Sequence, residues 1–216
     1  MNNRLGYSNE AWDRISDKDK SILMDINPVA RPSGTSSYRI SRVEQQLEEF
    51  ENSLLGLNPE GGLILNPDFQ RGHVWSTEQQ ISFIENFLRG SARLVIKLND
   101  LSENKEGDLP SYSWICIDGL QRLTALRDFM GGKFKIFDEK YGPEIITEGP
   151  AELKNKNWEI ELYHFKHRKD ILEYYLSFNS GGTVHSPEEL NRVRQLLQET
   201  QNKPQPNVTK RKGMTP

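Results

Sequence analysis

The hydrophobic pattern of the chain changes from that of a strand to that of a helix at Asp118 and Gly119. The apolar letters WICI before Asp118 predict a short buried strand, and Leu123, Leu126 and Met130 recur afterwards at helical spacing. A helix that starts directly after a strand leaves unbonded backbone N–H groups in its first turn, where phosphate oxygens are commonly held. The chain is therefore expected to contain a strand-to-helix turn with the composition of a binding site.

The polar side chains of this turn also have an ordinary structural explanation. Asp118 has the position of a helix N-cap, and Gln121 has that of its capping-box partner three residues later. Arg122 falls outside this explanation, because its five fixed donors suit phosphate or a carboxylate. A structural ion pair would use Arg122 equally well, so a phosphate site and a capped helix with an ion pair are both open.

A second Gln-Arg pair, Gln70-Arg71, lies upstream in the segment from Leu65 to Trp75. Ser76 follows as the predicted N-cap of a helix, with Gln79 in the capping-box position. The apolar stripe of that helix is formed by Ile81, Ile84, Phe87 and Leu88. Gly90 is expected to end the helix, and Leu94 to Leu98 are expected to form the strand that follows.

The third segment of interest, Asn179 to Thr183, follows a helical pattern formed by Ile171, Leu172, Tyr175 and Phe178. Asn and Gly commonly end helices, and Gly182 with Thr183 suits a simple turn. Pro187 then has the favoured first position of a further helix, with Ser186 as its cap and Glu189 as the capping-box partner. On residue types alone this segment is structural.

The three segments together resemble the DGQQR-motif family, the N-terminal module of GmrSD-type restriction factors, long described as a domain of unknown function. Its pattern Pro-x-Phe/Tyr-Gln-Arg-x-x-x-Trp is matched by Pro67, Phe69, Gln70, Arg71 and Trp75. Its Asp-Gly-Gln-Gln-Arg turn is matched by Asp118, Gly119, Gln121 and Arg122. Its Asn-x-Gly-Gly-Thr segment is matched by Asn179, Gly181, Gly182 and Thr183. The motifs occur in the family's order, and the resemblance spans about residues 38 to 198.

This resemblance implies an α+β fold of the ParB/sulfiredoxin-like type, a small mixed sheet with flanking helices that binds a nucleotide. In some relatives the turn supports hydrolysis of nucleoside triphosphates. The implied nucleotide contacts are Gln70, Arg71, Gly119, Arg122, Asn179, Gly181, Gly182 and Thr183. The implied catalytic residues are Asp118, Gln121 and Arg122, with Asp118 also holding Mg²⁺, the cofactor expected with the nucleotide.

The chain departs from the family turn at one position, where Leu120 replaces the usual first Gln. Leucine forms no side-chain hydrogen bond, so the contact made by that Gln is absent. Leu120 also stands where sulfiredoxin needs its thiol nucleophile, which argues against sulfiredoxin chemistry. The single cysteine, Cys116, lies in the apolar strand and is expected to be a buried small hydrophobe rather than a nucleophile.

Composition bounds the remaining interpretation. The chain has 216 residues and a mass of 25.0 kDa, with 35% hydrophobic and 27% charged residues, as expected for one compact domain with polar ends. A net charge of −3 and a pI near 5.9 give no global signature of nucleic-acid binding. The lack of a long apolar run, a signal peptide and paired cysteines favours a cytoplasmic protein.

The predicted organisation is a polar N-terminal extension over residues 1–37, a nucleotide-binding domain over 38–200 and a flexible basic tail over 201–216. The extension contains a docked helix around Trp12, Ile15 and residues 22–24, and it closes with a loop from Arg31 to Ser37. The other predicted elements are an amphipathic helix from Ser41 to Leu57, a hairpin connection from Asn99 to Ser111, and strands at Lys133 to Phe137 and Trp158 to Phe165.

Two functional classes stay open. The first is a nucleotide-binding domain, as an Mg²⁺-dependent nucleoside triphosphatase related to restriction or anti-phage defence factors; a nuclease activity is less favoured because the chain has no nuclease motif of its own. The second is a non-enzymatic regulator or inhibitor, including one carried by a phage, that binds nucleic acid or a protein of the defence system. The four histidines, His73, His164, His167 and His185, show no zinc spacing.

Overall fold

The computed structural model describes residues 9–26, 30–70, 72, 74–102, 109–179 and 187–202. Its strands are β1 (Gly34–Arg39), β2 (Gly62–Ile64), β3 (Val95–Asp100), β4 (Ser113–Asp118) and β5 (Asn157–Tyr163). Its helices are α1 (Asn9–Asp13), α2 (Asp17–Ile26), α3 (Val43–Leu57), α4 (Thr77–Arg89), α5 (Leu120–Met130), α6 (Glu144–Thr147), α7 (Ala151–Lys154), α8 (Arg168–Asn179) and α9 (Pro187–Asn202).

The described strands form one five-stranded mixed sheet in the order β1-β5-β3-β4-β2. The central strand β3 runs parallel to β5 and antiparallel to β4, and β4 runs parallel to the short edge strand β2. The antiparallel pairing of β3 with β4 confirms the predicted hairpin, although residues 103–108 of its connection lie outside the described residues. The carboxyl end of β4 therefore lies beside the start of β3.

Helices cover both faces of this sheet. One layer, the α3–α5 layer, packs on a face whose buried sheet residues include Ile96, Leu98, Cys116, Trp158 and Ile160. The other layer, the α8–α9 layer, packs on the opposite face over Ile115, Ile117 and Tyr163. Because side chains alternate along a strand, consecutive residues of β4 serve the two layers in turn. The predicted α+β class, a small mixed sheet with flanking helices, is confirmed.

Helix α4 has the termini that its sequence predicts. The Ser76 hydroxyl accepts a hydrogen bond from the Gln79 backbone N–H, and the Gln79 side chain accepts one from the Ser76 N–H, which completes a capping box. At the other end Gly90 is left-handed, with φ of 86°, and closes the helix. The amphipathic helix predicted from Ser41 is present as α3, after a 3-10 turn at Ile40–Arg42.

Two predictions in the chain's polar stretches are wrong. Lys133 to Phe137 forms no strand; only Ile136 bridges to Tyr141, because Phe137, Asp138 and Glu139 all have positive φ values of 54–61° that turn the chain. The loop predicted from Arg31 to Ser37 instead contributes Gly34 onward to β1, which pairs along its length with β5. Tertiary pairing outweighs the polar composition of that edge strand.

The ends of the chain are described only in part. The predicted N-terminal helix is divided into α1 and α2, and Trp12 of α1 is buried. The flexible tail is predicted over residues 201–216; its first two residues belong to α9, which ends at Asn202, and residues 203–216 lie outside the described residues together with residues 1–8. The division of the chain into these three segments therefore stays a prediction. None of the described helices is both long enough and apolar enough to span a membrane.

Cys116 has no exposed surface, and burial raises the pKa of its thiol to about 12. We therefore expect the native protein not to react with Ellman's reagent at pH 8, because the reactive species is the thiolate. Unfolding in guanidinium should release one reactive thiol per chain, since the sequence has a single cysteine. The variant Ser53→Cys, on the exposed side of α3, should react at once and serves as the control. Stoichiometric labelling of the native wild type would contradict a buried Cys116.

Candidate functional site

The carboxyl end of β4 is distorted by a β-bulge. Lys97 of β3 pairs with Asp118, and Leu98 pairs with Cys116, so Ile117 is an extra residue on β4. A bulge changes the direction in which the last side chains of a strand project and is frequent beside functional sites. Here it lies immediately before the turn that carries Asp118 and Gly119.

Gly119 brings the start of α5 into direct contact with β3. Its φ is 104°, and a Cβ there would lie 2.7 Å from Ile96 Cδ1 and 2.9 Å from the Val95 carbonyl oxygen. The glycine is therefore explained by left-handed geometry and by a close approach to the sheet. Gly119 is also the N-cap of α5 and provides no side-chain cap, so the predicted capping box of Asp118 with Gln121 is wrong.

Asp118 and Arg122 form an ion pair across the first turn of α5. Arg122 Nη2 donates to Asp118 Oδ2 at 2.6 Å, and Arg122 Nε donates to the Val95 carbonyl oxygen at 3.1 Å. The two side chains keep 29% and 31% of their surface exposed. The guanidinium is thus fixed on β3 by one edge, and its Nη1 has no acceptor among the described residues. The ion pair that the sequence left open is present, in a position that solvent reaches, and the phosphate role of Arg122 stays a prediction.

Gln121 holds the upstream Gln-Arg segment against this turn. Its Oε1 accepts hydrogen bonds from the backbone N–H groups of Val74 at 2.9 Å and Trp75 at 3.2 Å, and its Nε2 donates to the Gly72 carbonyl at 2.6 Å. The oxygen and the nitrogen of the Gln121 amide are therefore both bonded to backbone groups. Gln121 is therefore a clamp between the two motifs, and its predicted catalytic role stays a prediction.

Gln70 connects the same two motifs from the upstream segment, because its Nε2 donates to the Cys116 carbonyl of β4 at 2.7 Å. The residues before it are fixed from the α8–α9 layer. Arg192 of α9 donates to the carbonyl oxygens of Asp68 and Gln70, both at 2.8 Å, and Arg168 of α8 pairs with the Asp68 carboxylate at 2.6 Å. Phe69 is buried in the core under the α8–α9 layer.

Several predicted site residues lie outside the described residues. They are Arg71, Gly181, Gly182 and Thr183, together with His73 and Ser186, which the sequence also singles out. Asn179 is the last residue of α8, and its side chain is outside the description as well. The structure thus brings together Gln70, Asp118, Gly119, Gln121 and Arg122 from the predicted set. Leu120, where the family has Gln, is partly buried and packs on the core under the α3–α5 layer.

Sequence reasoning missed Lys97, which lies opposite Asp118 in the sheet. The Lys97 ammonium donates to the Tyr174 hydroxyl at 3.2 Å and lies 5.5 Å from the centre of that ring. The signal was present, because Lys97 is the single charged residue in the apolar run Leu-Val-Ile-Lys-Leu. A cation inside a predicted buried strand needs a partner or a function.

The possible metal ligands are the carboxylates, the histidines and the cysteine that the structure describes. They contain no group of three or more His, Cys, Asp or Glu side chains that would hold a metal ion by themselves. His164 lies with Nδ1 3.2 Å from the Asp100 carbonyl oxygen, so its described contact is with the backbone. Asp118 has the only carboxylate among the predicted site residues, and Mg²⁺ commonly binds one or two carboxylates and takes further ligands from phosphates and water, so the metal role of Asp118 stays a prediction.

A separate open cavity of about 640 Å³ lies at the far end of α5, between that end and the start of α3. Four of its five charged residues pair with one another. Arg127 contacts Glu44 at 2.6 Å and Lys133 contacts Asp128 at 2.7 Å. The chemistry of the predicted motifs is therefore concentrated at the start of α5 and not in this cavity.

Comparison with protein families shows the family of this chain. The model of the family described as GmrSD restriction endonuclease, N-terminal domain, matches residues 47–211, or 165 of the 216 residues. The chain belongs to this family. The match in the GmrSD N-terminal domain covers all three motifs, and it associates the chain with restriction and defence factors. No curated protein and no solved structure matches the chain. The ParB/sulfiredoxin-like relationship therefore stays a prediction.

The close packing at Gly119 predicts a large loss of stability on substitution. Gly119→Ala should lower the free energy of unfolding by roughly 2–4 kcal/mol, because it combines a left-handed backbone with a clash against β3. The control Gly90→Ala has a similar φ of 86° but open space around the added Cβ, so about 1 kcal/mol is expected. Urea unfolding of both variants measures the difference. Equal losses would show that the contact with β3 is unimportant.

The clamp made by Gln121 predicts a local effect. Gln121→Ala removes three hydrogen bonds to the Gly72–Trp75 backbone, so amide exchange at Val74 and Trp75 should accelerate by about tenfold or more. The control Gln46→Ala removes an exposed contact with Glu49 on α3 and should leave those two amides unchanged. Hydrogen exchange followed by NMR gives the comparison. Unchanged protection in Gln121→Ala would mean that other contacts hold the segment.

Proposed function

We propose that this GmrSD N-terminal domain binds a nucleoside triphosphate at the Asp118–Arg122 turn and hydrolyses it with Mg²⁺. The observation that carries the proposal is the solvent-accessible Arg122 guanidinium, fixed on β3 at the start of α5 with one edge available. Arginine in a fixed orientation is well suited to phosphate, since its planar donors match two phosphate oxygens at once.

The backbone at the start of α5 supports the same ligand. The first hydrogen bond of the helix ladder runs from the Leu123 N–H to the Gly119 carbonyl at 2.9 Å, so the N–H groups of Gln121 and Arg122 precede the ladder. The aligned peptide dipoles of α5 add positive potential at this end. A phosphate beside Arg122 would therefore meet a guanidinium and a helix terminus together.

Phosphate binding would also change the partner of Asp118. A phosphate competes with the Asp118 carboxylate for Arg122, and the carboxylate is then available to a metal ion carried with the nucleotide. When bound, Mg²⁺ supplies neutralisation of phosphate charge and orientation of its oxygens. In this assignment Asp118 holds the ion or orients water, Arg122 binds phosphate, and Gln121 keeps the Gln-Arg segment in place.

The remaining nucleotide contacts are assigned by the family motifs. Arg71 follows Gln70, whose side chain is fixed on β4, so this arginine is the second proposed phosphate ligand. Asn179, Gly181, Gly182 and Thr183 are proposed to contact phosphate or sugar, as the matched family segment implies. DNA and other proteins of a restriction system are the proposed partners of the domain.

Two observations favour the alternative of a non-enzymatic regulator or inhibitor. The ion pair at 2.6 Å neutralises the one proposed metal ligand within the chain, and Leu120 packs in the core where the family has a polar side chain. A domain that binds a nucleotide, a nucleic acid or a defence protein without turnover would tolerate both features. Binding without release of phosphate would identify this second class.

The test compares the wild type with Arg122→Gln and Asp118→Asn. Calorimetry with each of the four ribonucleoside triphosphates, with and without Mg²⁺, should show wild-type binding that weakens by about tenfold or more in Arg122→Gln. Asp118→Asn should retain binding but lose phosphate release, since it removes the proposed metal ligand. A matched control, Arg127→Gln, changes an arginine of the same helix that pairs with Glu44 and should bind as the wild type does. If the wild type binds none of the four, the proposal is wrong.

A further inference from the structure

We propose that Lys97 is a phosphate ligand of this site and that it makes the site selective for triphosphates over diphosphates. The inference rests on the proposed nucleotide binding at the Asp118–Arg122 turn and adds a residue outside the family motifs. It is carried by the position of Lys97 in the sheet and by the hydrogen bonds that hold its ammonium group.

The register of the sheet places Lys97 between two carboxylates. Asp118 is its partner on β4, and Glu161 is its partner on β5. Arg122 contacts the carbonyl of Val95, only two residues before Lys97 on the same strand. Two residues of a strand span about 7 Å, so the Arg122 side chain, which comes from α5, contacts β3 about 7 Å along the strand from Lys97, the residue paired with Asp118.

A chain of hydrogen bonds orients the Lys97 ammonium. Lys97 donates to the Tyr174 hydroxyl at 3.2 Å, Tyr174 donates to the Tyr163 hydroxyl at 2.8 Å, and Tyr163 donates to the Glu161 carboxylate at 3.2 Å. Burial raises the pKa of Tyr163, with the Tyr174 contact as a further cause, so the Tyr163 hydroxyl stays protonated. The chain of hydrogen bonds therefore fixes the position of the ammonium group.

The aromatic rings make this support rigid. Tyr163 and Tyr174 are 3% and 5% exposed, and Phe165 packs on both with ring centres 5.8 and 5.2 Å away. Tyr174 belongs to α8, the helix that leads to Asn179 and the glycine segment of the family motif. Lys97 thus contacts α8, the helix whose last residue, Asn179, is a proposed nucleotide contact.

The ordinary explanation is that Lys97 balances Glu161 across the sheet. That role predicts a loss of stability when Lys97 is replaced and no dependence on ligand charge. A phosphate ligand predicts something different, because a second cation at the proposed phosphate site favours the ligand with more negative charge and loses influence as salt rises. The number of phosphates on the ligand therefore separates the two explanations.

The experiment measures the affinity for each ribonucleoside triphosphate and its diphosphate by calorimetry with Mg²⁺. Lys97→Met keeps the length and apolar stem of the side chain, and it should weaken triphosphate binding by about tenfold while changing diphosphate binding by about threefold at most. Lys97→Gln provides a second neutral variant if the first does not fold, and thermal unfolding is recorded for both. The loss in triphosphate affinity should shrink as salt is raised from 50 to about 300 mM.

Tyr174→Phe tests the orienting hydroxyl separately. It removes one oxygen atom and keeps the ring, so triphosphate affinity should fall by roughly threefold, with diphosphate affinity unchanged. Tyr38→Phe removes the same atom from a tyrosine that packs on Phe50 and Trp158 on the other side of the sheet, and it should have no effect. Equal behaviour of these two variants would overturn the role of the hydroxyl chain.

The outcomes distinguish this inference from the function on which it rests. If Arg122→Gln weakens binding but Lys97→Met leaves the ratio of triphosphate to diphosphate affinity unchanged, Lys97 is structural and the proposed function stands. If the wild type binds no nucleotide, both proposals are wrong. A lowered ratio in Lys97→Met, with Arg127→Gln unaffected, supports Lys97 as a phosphate ligand.

Discussion

The contact between Gly119 and β3 is the constraint on which the candidate site depends. With no side chain at this position, α5 begins against the Val95 carbonyl and the Ile96 side chain, so Arg122 reaches the same carbonyl and Asp118 pairs with Arg122. Any larger residue would move the helix outward and separate these groups. The glycine therefore acts through packing, and phosphate chemistry at the turn depends on that packing.

The two Gln-Arg motifs have a reciprocal arrangement. Gln70 donates to a carbonyl of β4 just before the turn, and Gln121 binds the backbone that follows Arg71. Each glutamine thus fixes the segment that carries the other arginine. This division explains why the glutamines are bonded to backbone while Arg122 keeps an exposed edge, and it gives the motif a structural logic that does not depend on catalysis.

The sequence was sufficient to predict the structure wherever residues close to one another in the chain determine it. The capping box of α4, its closing glycine, the buried β4 with Cys116 and the helix after Gly119 all follow from residues within a few positions of one another. The sequence was insufficient where contacts between distant parts of the chain determine the structure. The polar strand β1 exists through its bonds to β5, and the role of Lys97 depends on Tyr174, 77 residues away. The interpretation of Asp118 as a cap failed because the same carboxylate is used by Arg122.

The hydrogen bonds from α8 and α9 to the Gln-Arg segment have a consequence for how the protein folds during synthesis. Arg192 of α9 bonds to carbonyl oxygens 122 and 124 positions earlier in the chain, and Arg168 bonds to Asp68 across 100 positions. Contacts of such long range form late, because a large loop must close first. During synthesis the segment stays without its α8 and α9 partners until nearly the whole domain has left the ribosome. A nascent chain truncated before α9 would therefore carry the motifs and lack the assembled site.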